Sequence, residues 1–392
     1  MSFERLLLRT WSDNRLFSVL VELTYRCNLD CFFCYNDLSL RGRPLTWEQY
    51  CAFFADLRDL EVLNLTLTGG EPLAHPDFLR LGARARELGF VVRIKSNGHA
   101  LRGTMARRIR DEIDPFLIEV SLHGATAAVH DRQTREPGSF ERLRANLGEM
   151  RRLGLRVKLN STLTAWNEHE VEAMMALAEA LELPLQIDPE VTPRDDGDRE
   201  PQSISPSRAG VRRLFELLAE RAAAARAAVV AASPDPAAPA GAAAAGRRVE
   251  VMRLADDGLA PAAAEKHCGA GSSGIAVDPY GNVYPCVAWR RPVGNLHERS
   301  IRDIWASSSG LADVRAATTA AKTMVDGYGE AGALLNFCPG HAATASGDPL
   351  QLYPAARSRM ELALEARQGH EARSPREPRP APGKTLLPIL PS

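Results

Sequence analysis

Three cysteines within eight positions constrain this chain more than any other feature in it. Residues 19–35, VLVELTYRCNLDCFFCY, form an apolar strand that runs into a loop carrying Cys27, Cys31 and Cys34. Thiols at the spacing C-x3-C-x2-C on one short loop can converge on a single metal centre. A structural zinc site takes four protein ligands and closes its shell, and an ordinary electron-transfer iron–sulfur cluster takes four cysteines. Three thiolates leave one iron of a 4Fe–4S cluster without a protein ligand, open to a substrate or cofactor. The plain alternative is buried or accidental cysteines. With only seven in 392 residues, chance clustering is a poor explanation.

Strands and helices alternate around that loop. Strands are expected at 19–24, 62–67, 90–95, 116–122, 155–163 and 185–188, and helices at 46–60, 76–88, near 101–112, 125–131, 139–153 and 167–181. Thr46 stands as the N-cap of the first helix with Glu48 in its first turn, and Gly89 stops the second. Cys51, beside Phe53 and Phe54 on the first helix, is expected to be buried and inert. Six strand–helix units with near-continuous apolar strands indicate a parallel sheet covered on its faces. A partial barrel and a doubly wound sheet both fit, and both bind ligands at the C-terminal strand ends.

Composition divides the chain further. Residues 1–18 are an extension with a short amphipathic piece at 3–8, strand or helix, and the α/β core is expected over 19–200. An alanine-rich helix at 208–232 and a flexible linker, SPDPAAPAGAAAAG at 233–246, occupy 201–265. A second compact region spans 266–348, and 349–392 is assigned to a helix and a disordered proline-rich tail. The 48 Lys and Arg against 49 Asp and Glu give a net charge of −1. Such a balance supplies no electrostatic reason for nucleic acid or an anionic membrane as partner. No apolar run approaches the roughly twenty residues that span a bilayer, and the N-terminus lacks a secretory core. Clustered, odd-numbered cysteines fit a reducing compartment, so a cytoplasmic location is expected.

With aromatic Phe33 before the last cysteine, the loop resembles the cluster loop of the radical S-adenosylmethionine (radical SAM) enzymes. Thr68-Gly69-Gly70-Glu71-Pro72, after the second strand, looks like the turn with which that family holds the methionine amino group of SAM. The resemblance implies an open six-unit (β/α) TIM-like barrel, and it decides between the two sheet types. It also implies that Cys27, Cys31 and Cys34 each hold one iron while SAM binds the fourth. An electron from the reduced cluster then cleaves SAM, and the resulting 5′-deoxyadenosyl radical abstracts hydrogen from a substrate. Gly69 and Gly70 would let backbone approach the methionine closely, with Glu71 and Pro72 completing the turn. Phe33 would lie by the adenine, Ser121 by the SAM carboxylate, and Asn160 by the cofactor or in the barrel interior. The run Ser121-Leu122-His123-Gly124, His130-Asp131, Gly138-Ser139-Phe140 resembles radical SAM peptide maturases, and His123 is expected to be structural or substrate-lining.

In the second region, Cys268 and Cys286 flank a hairpin whose turn is 278–282, with four residues between Gly281 and Cys286 and with Cys338 further on. This pattern resembles the SPASM/twitch domain, an α+β module that binds auxiliary clusters. It departs from a full SPASM domain, which has seven cysteines and two auxiliary clusters. Three thiolates suffice for one cluster with an open iron or a non-cysteine ligand, and His267 and His341 are the adjacent candidates. A degenerate module without a cluster is the alternative.

The implied function is radical modification of a ribosomally made peptide, a thioether or carbon–carbon cross-link or another oxidation. A radical SAM dehydrogenase acting on a small molecule such as a sugar alcohol is the second enzymatic reading, and a non-catalytic iron–sulfur protein the third. The complete loop-plus-TGGEP pair argues against the third, because a mere carrier needs no cofactor pocket. The expected partners are a peptide substrate, a reductant such as flavodoxin or ferredoxin, and a separate leader-peptide-binding protein.

Overall fold

The computed structural model describes residues 3–37, 39–232 and 265–373. The linker at 233–246 and the tail from 374 lie outside the described residues. β1 (Ser18–Glu22), β2 (Asn64–Thr68), β3 (Val91–Ser96), β4 (Leu117–Ser121), β5 (Val157–Thr162) and β6 (Leu185–Asp188) pair in consecutive order, all parallel. Helices make the crossovers that parallel neighbours require. The expected partial barrel is present, and its sheet does not close.

The strands differ from the expectation of apolar faces on both sides. Val19, Val21, Leu65, Leu67, Val92, Ile94, Ile118, Val120 and Leu159 alternate onto one face and are buried beneath the helices. The alternate positions carry Thr66, Arg93, Lys95, Glu119, Ser121, Lys158 and Asn160, so the inner face of the open sheet is polar. Its charges partner one another: Asn160 Nδ2 donates to Glu119 at 2.7 Å, and Lys95 Nζ lies 3.8 Å from the same carboxylate. Strands with one covered face alternate, whereas fully sandwiched strands run apolar throughout.

The first crossover helix, Trp47–Asp59, starts at Thr46 with a full capping box. Thr46 Oγ1 accepts from Gln49 N at 3.3 Å and the Gln49 side chain accepts from Thr46 N at 3.0 Å. It buries Tyr50, Phe53, Phe54 and Leu57, while Cys51 is half-buried instead of fully enclosed, because it lies off the core-facing stripe. The helix expected near 101–112 runs as Gly103–Arg108 and then widens into a π-turn, Ile109–Ile113, that ends on left-handed Asp114. The N-terminal piece is a helix, Phe3–Ser12.

The C-terminal region enters the same sheet. β7 (Gly274–Val277) pairs parallel with β1 on the side away from β2, and β8 (Asn282–Tyr284) and β9 (Gly294–Asn295) follow antiparallel, making nine strands among the described residues. Both Phe17 N and Ser18 N donate to Ser273 O, at 2.8 and 2.9 Å. The helix Pro354–Arg373 packs along Arg208–Ala232, where Arg208 meets Glu361 and Glu365.

Candidate functional site

The C-terminal end of β1 runs straight into the cysteine loop, and the TGGEP turn lies across its first residues. Leu23 N donates to Thr68 O at 2.8 Å, Gly70 N to Thr24 O at 2.7 Å and Glu71 N to Arg26 O at 2.9 Å. Gly69 has φ +145°, and a Cβ there would collide with the Thr24 carbonyl. A Cβ on Gly70 would come within 2.6 Å of Arg26 O and 2.7 Å of Tyr25 O. The close approach that demands these glycines is therefore made by the cysteine loop's own backbone. Glu71 is buried and accepts from Leu73 N at 3.2 Å, Ser96 Oγ at 2.9 Å and Asn97 N at 2.8 Å. Its carboxylate ties the end of β2 to the end of β3, and Pro72 opens the short 3₁₀ turn Pro72–Ala74.

Cys27 is exposed, and Cys31 and Cys34 are half-buried. Burial pushes the Cys34 thiol up to about 11 and Cys31 further, and nearby thiols add to the shift at both. Three mutually repelling thiols are stable as thiolates only beside a cation, which reverses that balance. Leu29 N lies 3.4 Å and Asn97 Nδ2 3.8 Å from Cys27 Sγ, and Asn97 also donates to Asn28 Oδ1 at 2.8 Å. Among the described residues no three Cys, His, Asp or Glu side chains close around a single-ion position. A multi-iron cluster makes a different demand, one thiolate to each iron, and soft thiolates are the donors that iron–sulfur clusters select.

Ser121 and Asn160 are register partners on β4 and β5 and stand side by side on the inner face. Asn160 Oδ1 is buried without a hydrogen-bond partner, and so is Asn36 Oδ1, whose Nδ2 donates to Gly69 O at 3.3 Å. Unpaired buried acceptors call for a donor. The ammonium, hydroxyl and exocyclic amine groups of SAM are donors, so these residues fit that cofactor. Phe33 packs edge-on to His123, with ring centroids 4.6 Å apart. His123 Nδ1 accepts from Thr162 N at 3.3 Å, and His130 Nδ1 accepts from His123 N at 3.1 Å. Burial, then the neighbouring His130, lowers the His123 pKa to about 3, so it is a neutral support for Phe33. Asp131 accepts from Gly138 N, Ser139 Oγ and Phe140 N at 2.6, 3.1 and 2.8 Å. The Asp131 to Phe140 part of the motif thus builds the start of the helix Ser139–Arg152.

The second set of cysteines is also brought together. The hairpin turn forms as expected: Asp278 accepts from Tyr280 N and Asn282 N, both at 2.9 Å, and Gly281 has φ +80°. Gly271 N donates to Pro285 O at 3.0 Å, joining the Cys268 segment to the Cys286 segment. A Cβ on Gly340 would lie 2.6 Å from Ala288 O, so the turn after Cys338 packs on the same segment. Burial pushes Cys286 up to about 12, with Cys338 and Cys268 adding to it, and Cys338 up to about 11.

One group was not singled out from the sequence. Glu22, fully buried at the end of β1, pairs with Arg290 from the C-terminal region, which also reaches Asp195 Oδ2 at 2.9 Å. Tyr25 Oη donates to Glu22 Oε2 at 3.1 Å, and Asp195 N donates to Tyr35 O at 2.8 Å. The visible signal was an acidic residue closing an otherwise apolar strand.

A family model described as the Radical SAM superfamily matches residues 21–178, and one described as an iron–sulfur cluster-binding domain, SPASM, matches residues 268–325. Cys338 lies beyond the second match. A PqqA peptide cyclase from Xanthomonas euvesicatoria is 30% identical over 373 residues, 91% of this chain and 92% of that protein. An AdoMet-dependent heme synthase from Methanosarcina barkeri is 26% identical over 296 residues, 75% of this chain and 83% of that one. The solved structure of anSMEcpe with bound AdoMet and Cp18Cys peptide shares the fold with a TM-score of 0.66 at 15% identity, over 91% of this chain and 98% of that one.

Proposed function

This chain belongs to the radical SAM superfamily and carries a SPASM-type iron–sulfur domain, and from that premise we propose that it oxidatively modifies a ribosomally made peptide, as a thioether or carbon–carbon cross-link or a related change. The observation that carries the peptide reading is the alignment with a peptide cyclase over nearly the full length of both chains. Cys27, Cys31 and Cys34 hold a 4Fe–4S cluster, and Cys268, Cys286 and Cys338 hold an auxiliary one. When bound and reduced, the first cluster supplies the electron that cleaves SAM and so generates the radical that removes substrate hydrogen. Phe33, backed by His123, flanks the SAM adenine, the Gly69–Gly70 turn receives the methionine end, and Ser121 and Asn160 offer polar contacts from the inner face. Glu71 and Pro72 shape the turn. The inner face beyond, with Arg93, Lys95 and Glu119, receives the substrate.

A flavodoxin or ferredoxin supplies the electron, and a separate protein presents the peptide leader. No described helix is long and apolar enough to cross a membrane, and reduced thiols together with a flavodoxin-type donor favour the cytoplasm. The relative named as a heme synthase favours a small-molecule substrate as the second reading. Co-expression with short peptides encoded beside the gene, followed by mass spectrometry, separates the two. Loss of hydrogen from one such peptide supports the first reading. Unchanged peptides, alongside turnover of a small molecule, support the second.

A further inference from the structure

The two histidines beside the auxiliary thiols are held very differently. His267 holds Nε2 2.8 Å from the backbone carbonyl of Phe337, which leaves its Nδ1 for another partner. His341 has its Nδ1 3.3 Å from Glu190 Oε2, within ion-pair distance but outside hydrogen-bond geometry, and no hydrogen-bond partner for that atom. That carboxylate is itself fixed: Arg359 Nη1 lies 2.9 Å and Tyr353 Oη 3.4 Å from the same oxygen, and Glu190 N donates to Asp188 Oδ1 at 3.0 Å. A ring with a carboxylate beside Nδ1 keeps Nε2 for another partner, and a carboxylate behind the ring is common for metal-bound histidine.

His341 also sits where the thiols are. Cys338 is the N-cap of the helix Pro339–Ser346, and its Sγ accepts from His341 N at 3.5 Å. N-cap and N3 side chains are neighbours at a helix start, as in a capping box.

We propose that His341 is the fourth protein ligand of the auxiliary cluster, bound through Nε2, with Glu190 as the positioning residue that orients its ring. This rests on the reading that Cys268, Cys286 and Cys338 hold that cluster. It closes the cluster's ligand shell, so this site passes electrons and does not bind substrate at an open iron. An imidazole in place of a thiolate removes one negative charge and raises the reduction potential.

The test uses the full chain with Cys27→Ala, Cys31→Ala and Cys34→Ala, so that only the auxiliary cluster remains. Reconstituted anaerobically and reduced, it should hold about four irons and show, by pulsed electron paramagnetic resonance with isotopically labelled histidine, a nitrogen bonded to the cluster. His341→Ala should abolish that coupling. His341→Cys should keep the iron, lose the coupling and lower the potential, and Glu190→Gln should alter the coupling with iron retained. A cluster with full iron and no histidine coupling, or a coupling that survives His341→Ala, overturns the proposal while leaving the auxiliary site standing. Absence of iron from the parent variant overturns both.

Discussion

Arg290 closes on Glu22 with two parallel hydrogen bonds, Nη1 to Oε2 at 2.9 Å and Nη2 to Oε1 at 2.6 Å. Glu22 ends the strand that feeds the cysteine loop, and Arg290 follows Cys286 by four residues. The pair therefore clamps the cysteine loop to the C-terminal region, with Glu22 fully buried and the Arg290 side chain 10% exposed. Removing one partner strands the other, which costs about 3–5 kcal/mol for a buried pair. Arg290→Met should lower the thermal midpoint markedly and reduce iron loading at the first cluster. The double variant Glu22→Leu, Arg290→Met should recover part of the stability, because matched apolar replacement of a buried pair is close to neutral while Asp195 still loses its partner. Equal melting of both variants would contradict the clamp.

Gly70→Ala should do more than weaken SAM binding. Its Cβ would press on the carbonyls of Tyr25 and Arg26, so the cysteine loop must shift. Iron content after reconstitution is the readout, and a fall together with SAM affinity is expected. Full iron with impaired SAM binding would instead place the constraint on the cofactor side.

Asp131→Asn should destabilise the fold by about 1–2 kcal/mol, the worth of charged hydrogen bonds at a half-exposed site. Burial alone would raise this carboxyl, but the hydrogen bonds from Phe140, Gly138 and Ser139 outweigh it and hold the pKa below the usual value. A depressed folded pKa contributes stability above the unfolded value of about 3.9 and loses it as pH falls through the folded one. Wild type and Asp131→Asn should therefore differ in melting temperature at neutral pH and converge in acid. A gap independent of pH would rule out the carboxylate as the cause.

Much of the core was legible because its signals are local. The N-cap at Thr46, the Asp278–Asn282 turn and the alternation of strands with helices follow from residues a few positions apart. The polar inner face was misjudged although strands such as LIEVS and VKLNST alternate polar with apolar residues, because a parallel sheet was expected to be covered on both faces. The pairing of β7 with β1 and the Glu22–Arg290 bond join segments far apart in the chain, and such contacts leave no periodicity. Gly69 and Gly70 were singled out for a close approach to SAM, and in the structure the cysteine loop's own backbone lies against them.

The auxiliary site makes a counting prediction. Wild-type protein should hold about eight irons, four in each cluster. Cys268→Ala, Cys286→Ala, Cys338→Ala should hold about four, still cleave SAM, and fail to convert its substrate. About four irons in both proteins would mean that the C-terminal thiols bind no cluster.

As proposed, the loop of Cys27, Cys31 and Cys34 generates a radical from SAM. Anaerobically reconstituted wild-type protein, incubated with SAM and dithionite, should release 5′-deoxyadenosine, and alanine at any one of the three cysteines should abolish the release. Protein with a complete first cluster that never forms 5′-deoxyadenosine, even with its physiological reductant and substrate present, would contradict the account.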